Sequence, residues 1–339
     1  MKVLVAGATG VVGRRVVPLL AAAGHEVLAL ARPGRAPLVP AGAEVLVADA
    51  LDRDGVRAAV RRAAPDTVVN LLTAIPAEPD PKHLARDLAV TNRLRTEGTR
   101  NLVEAAGDAR VISQGLAYGY QPDDGPAGED APLWRAGPPP QFAPVLAALV
   151  ELERRTTRAG GLVLRLGHLY GPGTTFAVDG RFTRRVRAGR VPLAGGGHAV
   201  FSFTHADDAA AAVAAAVDRD VVTGVLNIVD DEPAALHEWL PELARLLDAP
   251  APRKVPAALA RLAVGSWGVA FLNRLRGADN ARARLRLGWR PRYPSAAEGF
   301  AAEFGAGPGR RPGAQDTSSP RSAARSRQNA FPANRASQP

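Results

Sequence analysis

The sequence predicts a doubly wound α/β fold: a parallel sheet covered by helices on both faces, then a smaller lobe and a tail. Three observations predict it. Short continuous apolar runs alternate with helix-period segments through the first half, as in parallel strands buried on both faces. The first run leads at once into Gly7-Ala8-Thr9-Gly10-Val11-Val12-Gly13, and an apolar helix pattern follows. After Gly167 the alternation loosens into glycine and proline turns.

Each element has its own signal. Val3–Ala6 reads as the first strand. Val11–Ala23 reads as a helix with Val12, Val16, Leu19, Leu20 and Ala23 on one face, kinked at Pro18 and ended by Gly24. Strands follow at Glu26–Ala31 and Glu44–Ala48, the latter closed by Asp49. A helix over Arg53–Ala64 leads to a strand over Thr67–Leu72. Arg86–Ala106 reads as one long helix with Leu88, Leu94, Leu102 and Val103 facing inward. Arg110–Ser113 is the fifth strand, Val145–Ala159 a helix and Leu162–Leu166 the sixth strand. In the second half, Ala206–Val217 is an alanine-rich helix, Val225–Ile228 a strand and His237–Leu247 a helix. The expected division is a dinucleotide-binding domain over 1–166, with 198–224 returning to it, and mainly a substrate lobe over 167–304. From Gly305 to Pro339 glycine, proline, serine and arginine dominate, a composition that cannot offset its ordering entropy, so this tail is expected to be disordered.

Composition narrows the class. A chain of 339 residues with 46% hydrophobic content can build one large core or two smaller ones. Cysteine is absent, which removes disulfides and thiolate metal sites and suits a cytoplasmic setting. No run of about 18 apolar residues occurs, so no membrane span is expected. The amino terminus lacks the pattern of a signal peptide. The net charge is +10, but the tail holds six arginines against the single acid Asp316, and only Lys2, Lys82 and Lys254 are lysines. With half of the excess in the tail and nearly all of it arginine, it reads as compositional bias and not as a nucleic-acid surface.

The glycine segment carries the first chemistry. Gly7 permits a tight turn, Gly10 a close approach of backbone to phosphate, and Gly13 close packing of helix on strand. With Thr9, Val11 and Val12 they place helix amides and the positive dipole end toward a dinucleotide pyrophosphate, the arrangement of a Rossmann domain. The second strand ends in Ala31-Arg32-Pro33-Gly34-Arg35 with no carboxylate to hold a ribose diol. Arg32 and Arg35 stand where a 2′-phosphate would lie, which favours NADP and leaves NAD as the second option; a plain solvated turn is the competing reading. Asp49 could accept from an adenine amine or cap the next helix. Ala50, Leu72, Thr73 and Ser113, at the carboxyl ends of their strands, complete the candidate cofactor set. No histidine and carboxylate spacing suggests a metal site.

Together these residues resemble the short-chain dehydrogenase/reductase superfamily in its extended branch, with the nucleotide-sugar epimerases and dehydratases. The resemblance spans roughly residues 1–304. It rests on the glycine segment, Asp49-Ala50-Leu51, the helix Glu97–Ala106, and Ser113-Gln114-Gly115-Leu116-Ala117-Tyr118-Gly119. Later matches are Arg165–Gly173, Phe203–Ala209 and Leu287-Gly288-Trp289-Arg290-Pro291. In that family a serine or threonine after the fifth strand and a Tyr-x-x-x-Lys motif on the next helix carry proton transfer. Here none of Tyr118, Tyr120, Tyr170 and Tyr293 has lysine four residues on. The serine or threonine position, counted back from Tyr118, is Gln114, an amide that is no acid near neutral pH.

Three residues are therefore candidates for an atypical site. His168 titrates near working pH in its ordinary state. Tyr118 becomes a proton donor if a nearby cation lowers its pKa, and is otherwise a packing residue; Tyr120 offers the same option. Gln114 would hydrogen-bond a substrate carbonyl or satisfy loop backbone. His205 with Asp207 and Asp208 reads as a structural corner. Three functions stay open: an NAD(P)-dependent oxidoreductase or epimerase/dehydratase-like enzyme on a small carbonyl, sugar or secondary metabolite; a non-redox isomerase or cyclase keeping the nucleotide as scaffold; and a non-catalytic NADP-binding redox sensor. The partner is expected to be a small molecule, not nucleic acid or membrane. The resemblance leaves a homodimer through the two long helices open.

Overall fold

The computed structural model describes residues 1–305, so the expectation for the tail lies outside the described residues. The chain starts with β1 (Lys2–Ala6), α1 (Gly13–Ala22), β2 (Glu26–Ala31), β3 (Glu44–Val47), α2 (Arg53–Ala63) and β4 (Thr67–Asn70). The helix α1 runs on through Pro18. Asp52 caps α2 by accepting from the Gly55 amide, so Asp49 is not the cap; it accepts from Leu51 N–H at 2.9 Å.

The long helix expected over 86–106 is broken into α3 (Leu84–Asp87), α4 (Ala89–Arg93), a π-helical turn (Leu94–Gly98) and α5 (Thr99–Ala106). Two buried threonines account for the irregularity. Thr91 Oγ1 accepts from Ala74 N–H, and Thr99 Oγ1 accepts from the Asn70 side-chain amide, both at 3.0 Å. These bonds tie the helix to the end of β4 at two points, and the π turn takes up one extra residue between them. Such turns collect at functional sites.

Then come β5 (Arg110–Leu116), α6 (Ala143–Arg158), β6 (Leu162–Leu166), β7 (His168–Tyr170), α7 (Arg181–Arg187), β8 (Leu193–Ala194), β9 (Val200–Phe201), β10 (Phe203–His205), α8 (Ala206–Asp218) and β11 (Gly224–Ile228). The chain closes with β12 (Ala234–Ala235), α9 (Leu236–Leu246), β13 (Lys254–Val255), α10 (Ala257–Asn273), α11 (Ala281–Leu287) and α12 (Ala296–Phe304). The helix α10 bends at Gly265, whose φ of +70° only glycine adopts freely.

Seven parallel strands form the main sheet in the order β11-β6-β5-β4-β1-β2-β3. The order reverses between β1 and β4, with Val5 beside Ala29 on one side and Val69 on the other. This is the doubly wound fold the alternation predicts, and its reversal leaves a crevice at the carboxyl ends of β1 and β4. One sheet face packs α1, α8 and α11 through Val16, Leu20, Val213 and Leu287. The other packs α2 and α5 through Val56, Val60 and Leu102. The second half thus returns to the sheet as α8, β11 and α11. The remaining segments gather around a third core rich in aromatics, among them Trp134, Phe142, Phe201, Trp239 and Phe300. Among the described residues no helix is long and apolar enough to cross a membrane.

Candidate functional site

A cleft of about 230 Å³ opens at the carboxyl ends of the strands. The turn after β1 supplies Gly7, Thr9 and Gly10; the end of β2 and the turn beyond it supply Ala31, Arg32 and Arg35. Asp49 and Ala50 follow β3, and Leu71, Leu72, Thr73 and Ala74 follow β4. Asn101 donates to the Ala50 carbonyl at 2.9 Å, which fixes that loop.

The cleft has the features a pyrophosphate needs. Gly7 sits at φ +94°, where a Cβ would come within 2.7 Å of the Leu71 carbonyl oxygen. A Cβ at Gly13 would collide with the Gly7 carbonyl oxygen. Glycine at both places lets turn, strand and helix lie at backbone contact. No side chain caps the amino terminus of α1 and no acid lies in its first turn; the Arg14, Arg15 and Val16 amides bond back to the Gly10 and Val12 carbonyls, so what the helix offers an anion is chiefly its positive dipole end. Arg32 and Arg35 are exposed on the cleft wall. Val11, Val12, Gly13 and Ser113 do not line it. Val12 packs in the core, and Ser113, fully buried, accepts from the Thr156 hydroxyl at 2.8 Å on α6. The placement of Ser113 against a helix, away from the cleft, departs from the expectation for a cofactor ligand.

Beside the cleft lies a second cavity of about 330 Å³ with a mostly apolar wall. The segment 71–74 lines the cleft and Ile75, Ala77 and Pro79 line the cavity. In the π turn, Leu94 lines the first and Arg95 the second. Aromatic side chains form much of the wall: Phe142 stacks on Trp267 at 3.8 Å between ring centroids, and Phe176, Phe201, Trp239 and Phe271 stand around them.

His168 and Tyr118 meet here. Their rings stack at 4.3 Å with 23° between planes. The His168 ring is 7% exposed and also lies 4.5 Å from Phe201. Its Nδ1 is 3.2 Å from the Ser202 carbonyl oxygen, which can only accept, so Nδ1 carries the proton. Nε2 is buried with no hydrogen-bond partner. Burial among aromatics pushes the His168 pKa down to about 4. The expectation that His168 titrates near neutral pH is corrected accordingly: it is a neutral imidazole offering a lone pair, not an acid. Burial pushes the Tyr118 hydroxyl up, with the nearby Arg95 cation opposing this in part. Tyr118 is therefore no acid of lowered pKa. Gln114 is partly exposed on β5 and lines neither cavity.

Other candidates have structural work. The Tyr120 hydroxyl donates to Asn227 and accepts from Arg165, both at 2.6 Å, in a buried network that Glu153 completes with Arg165. His205 caps α8 by accepting from Asp207 N–H and holds Glu303 at 3.2 Å, which makes it a corner.

Sequence reasoning missed Arg95. It is 3% exposed, its Nη1 has no hydrogen-bond partner, and it lines the cavity. A signal was present: Arg95 lies seven residues after Leu88 and seven before Leu102, on the inward stripe of the helix pattern. The cavity-lining Trp267 and Phe271 were missed as well, because the segment 257–273 carries no motif.

The fold has many relatives. The human epimerase family protein SDR39U1, solved with NADPH, superposes with a TM-score of 0.69 at 22% identity, over 90% of this chain and 100% of that one. A 3-diazoavenalumate denitrifying reductase from a Streptomyces species is 48% identical over 314 residues, 89% of this chain and 100% of the relative. A 2′-dehydrokanamycin reductase from Streptomyces kanamyceticus is 30% identical over 268 residues, 76% of this chain and 70% of the relative. The family model described as the NAD dependent epimerase/dehydratase family matches residues 3–228. With its glycine cradle, its sheet order and these relatives, the chain belongs to the NAD-dependent epimerase/dehydratase family.

Proposed function

We propose that the chain is an NADPH-dependent reductase that removes nitrogen from an aromatic diazo metabolite. One observation carries this reading: an aromatic-walled cavity adjoins the cleft, yet its wall offers no group poised to release a proton near neutral pH. His168 is neutral, the Tyr118 hydroxyl is shifted upward, and Gln114 stands elsewhere. Reduction of a carbonyl places a proton on oxygen and calls for an acid. Reduction of an aryl diazonium does not. Hydride makes the new C–H bond, the C–N bond breaks, and its electron pair leaves with dinitrogen. The relative that is 48% identical over its whole length is named for a diazo substrate and a denitrifying reduction, which supports the reading.

Bound in the cleft, a reduced nicotinamide would supply the hydride. The residues of this chain do the rest. The glycine turn and the positive end of α1 hold the pyrophosphate, and Arg32 and Arg35 grip the 2′-phosphate, which selects NADPH over NADH. The stacked rings of Tyr118 and His168 set the plane of an aromatic guest. Nε2 of His168, buried without a partner, offers its lone pair to a hydrogen-bond donor of the guest. The apolar wall excludes the water that would otherwise capture a diazonium as a phenol.

The test uses purified protein, NADPH and a panel made of an ortho-diazo hydroxycinnamate, simple ketones and UDP-sugars. The expected result is one NADPH oxidised per dinitrogen released, with one deuterium in the product ring when deuterated NADPH is the donor. Turnover of ketones or UDP-sugars alone would overturn the proposal in favour of a carbonyl reductase or epimerase. Cofactor binding with no turnover across the panel would favour a sensor.

A further inference from the structure

We infer that Arg95 is a specificity-determining residue that receives the carboxylate of an aromatic acid in the cavity, an inference that rests on reading that cavity as the substrate site. Arg95 is presented by the π-helical turn and is 3% exposed. Its Nη1 is buried without a hydrogen-bond partner, and no carboxylate pairs with it among the described residues. Taking a guanidinium out of water costs several kcal/mol, and an unpaired one recovers little of that cost. A cation kept in this state on the wall of a cavity is poised for an anion brought in by a guest.

The other charges on the wall agree. Glu78 and Arg181 neutralise each other at 2.6 Å, and both are about half exposed. Arg185 adds a further positive charge to the lining. The wall therefore carries a surplus of positive charge, one of it buried, in an otherwise aromatic enclosure. The planar fork of arginine matches a carboxylate by two parallel hydrogen bonds. Tyr118, which also lines the cavity, stacks on His168, and the pair offers an aromatic surface for the body of the guest. A flat aromatic body with a carboxylate at one end satisfies both features, and a neutral sugar satisfies neither.

The test measures binding without turnover, so it is independent of the diazo chemistry. Calorimetry in the presence of NADP⁺ compares 4-coumarate with its primary amide, which has nearly the same shape and no charge. The wild-type protein is expected to bind the acid about tenfold or more tightly than the amide. Arg95→Met should bring the acid down to the affinity of the amide and leave the amide and NADP⁺ unaffected. Arg95→Lys should restore part of the preference. Equal binding of acid and amide by the wild type would overturn the inference, as would an Arg95→Met protein that still prefers the acid. If Arg95→Met does not fold, Arg185→Met decides the matter: it should leave the preference for the acid in place, and loss of the preference there would move the carboxylate to Arg185 and overturn the inference. Should 4-coumarate bind through Arg95 while no diazo compound is reduced, the proposed reaction falls and this inference stands.

Discussion

The cleft and the cavity meet at one helical turn, where Leu94 faces the first and Arg95 the second, yet they are made in different ways. The cleft is mostly backbone: glycines, a helix amino terminus and strand ends, drawn from residues 7–74 and two positions on the helix after them. The cavity is mostly side chain, and its wall comes from segments as far apart as Ile75 and Leu272. A site built of backbone keeps its ligand class as long as the turn survives. A site built of side chains can change its guest by a few substitutions. The first explains why the family is legible at the amino terminus, and the second why family membership does not fix the reaction.

The largest expected effect strikes the cleft. Gly13→Val forces a side chain into the Gly7 carbonyl, which should cost about 3 kcal/mol in stability and on the order of a hundredfold in NADPH affinity. Thermal unfolding and calorimetry read both; a variant with normal melting and normal binding would remove the cradle from the account.

Next comes a pH effect seated in the cavity. The folded pKa of His168, about 4, lies below its ordinary value of 6.5. Above 6.5 both folded and unfolded forms are neutral there and the residue contributes no slope. As pH falls from 6.5 toward 4 the unfolded chain takes up a proton that the folded one refuses, so stability is lost across that window, by about 3 kcal/mol in total. His168→Gln should flatten the profile between those values relative to the wild type. Parallel profiles for the two proteins would place the imidazole in contact with water.

The effect of Arg32→Asp is smaller and confined to the cleft. It should lower NADPH affinity about ten- to a hundredfold and leave NADH within a few-fold, through loss of one charge-assisted contact. An unchanged NADPH to NADH ratio would show that the turn after β2 does not read the 2′-phosphate. The smallest effect is expected for Tyr118→Phe. If no proton is delivered from this hydroxyl, hydride turnover should stay within about twofold of wild type, because the ring stack is kept. A loss on the order of a thousandfold would restore Tyr118 as a general acid and overturn the proton-free balance.

Much of the fold was legible in the sequence. The strands β1, β2 and β6 fall where their apolar runs place them, and α8 differs from its expected span by one residue. Errors concentrate where distant contacts override the local pattern. The helix expected over 86–106 is interrupted by a π turn and tied to the end of β4 and the residues beyond it by Thr91 and Thr99, whose partners Ala74 and Asn70 lie 17 and 29 residues away in sequence. Ser113 ends an apolar run as a cofactor ligand would, but its hydroxyl is taken by Thr156 of α6. The strand itself continues to Leu116, since pairing with β6 supplies partners that the local sequence does not advertise.

His168 and Tyr118 show the same division within the candidate site. Their presence near the ends of β6 and β5 is readable from spacing, and their protonation is not. That depends on Phe201, Phe203 and Phe271 closing over the imidazole and, for Tyr118, on burial opposed in part by the Arg95 cation of the π turn. Short-range features, namely apolar runs, a glycine turn and an arginine pair after a strand, are written contiguously, so residues 1–75 alone specify a nucleotide cradle. The chemistry of the neighbouring chamber arises only when remote side chains converge, because desolvation and unpaired charge are properties of an enclosure and not of any one segment.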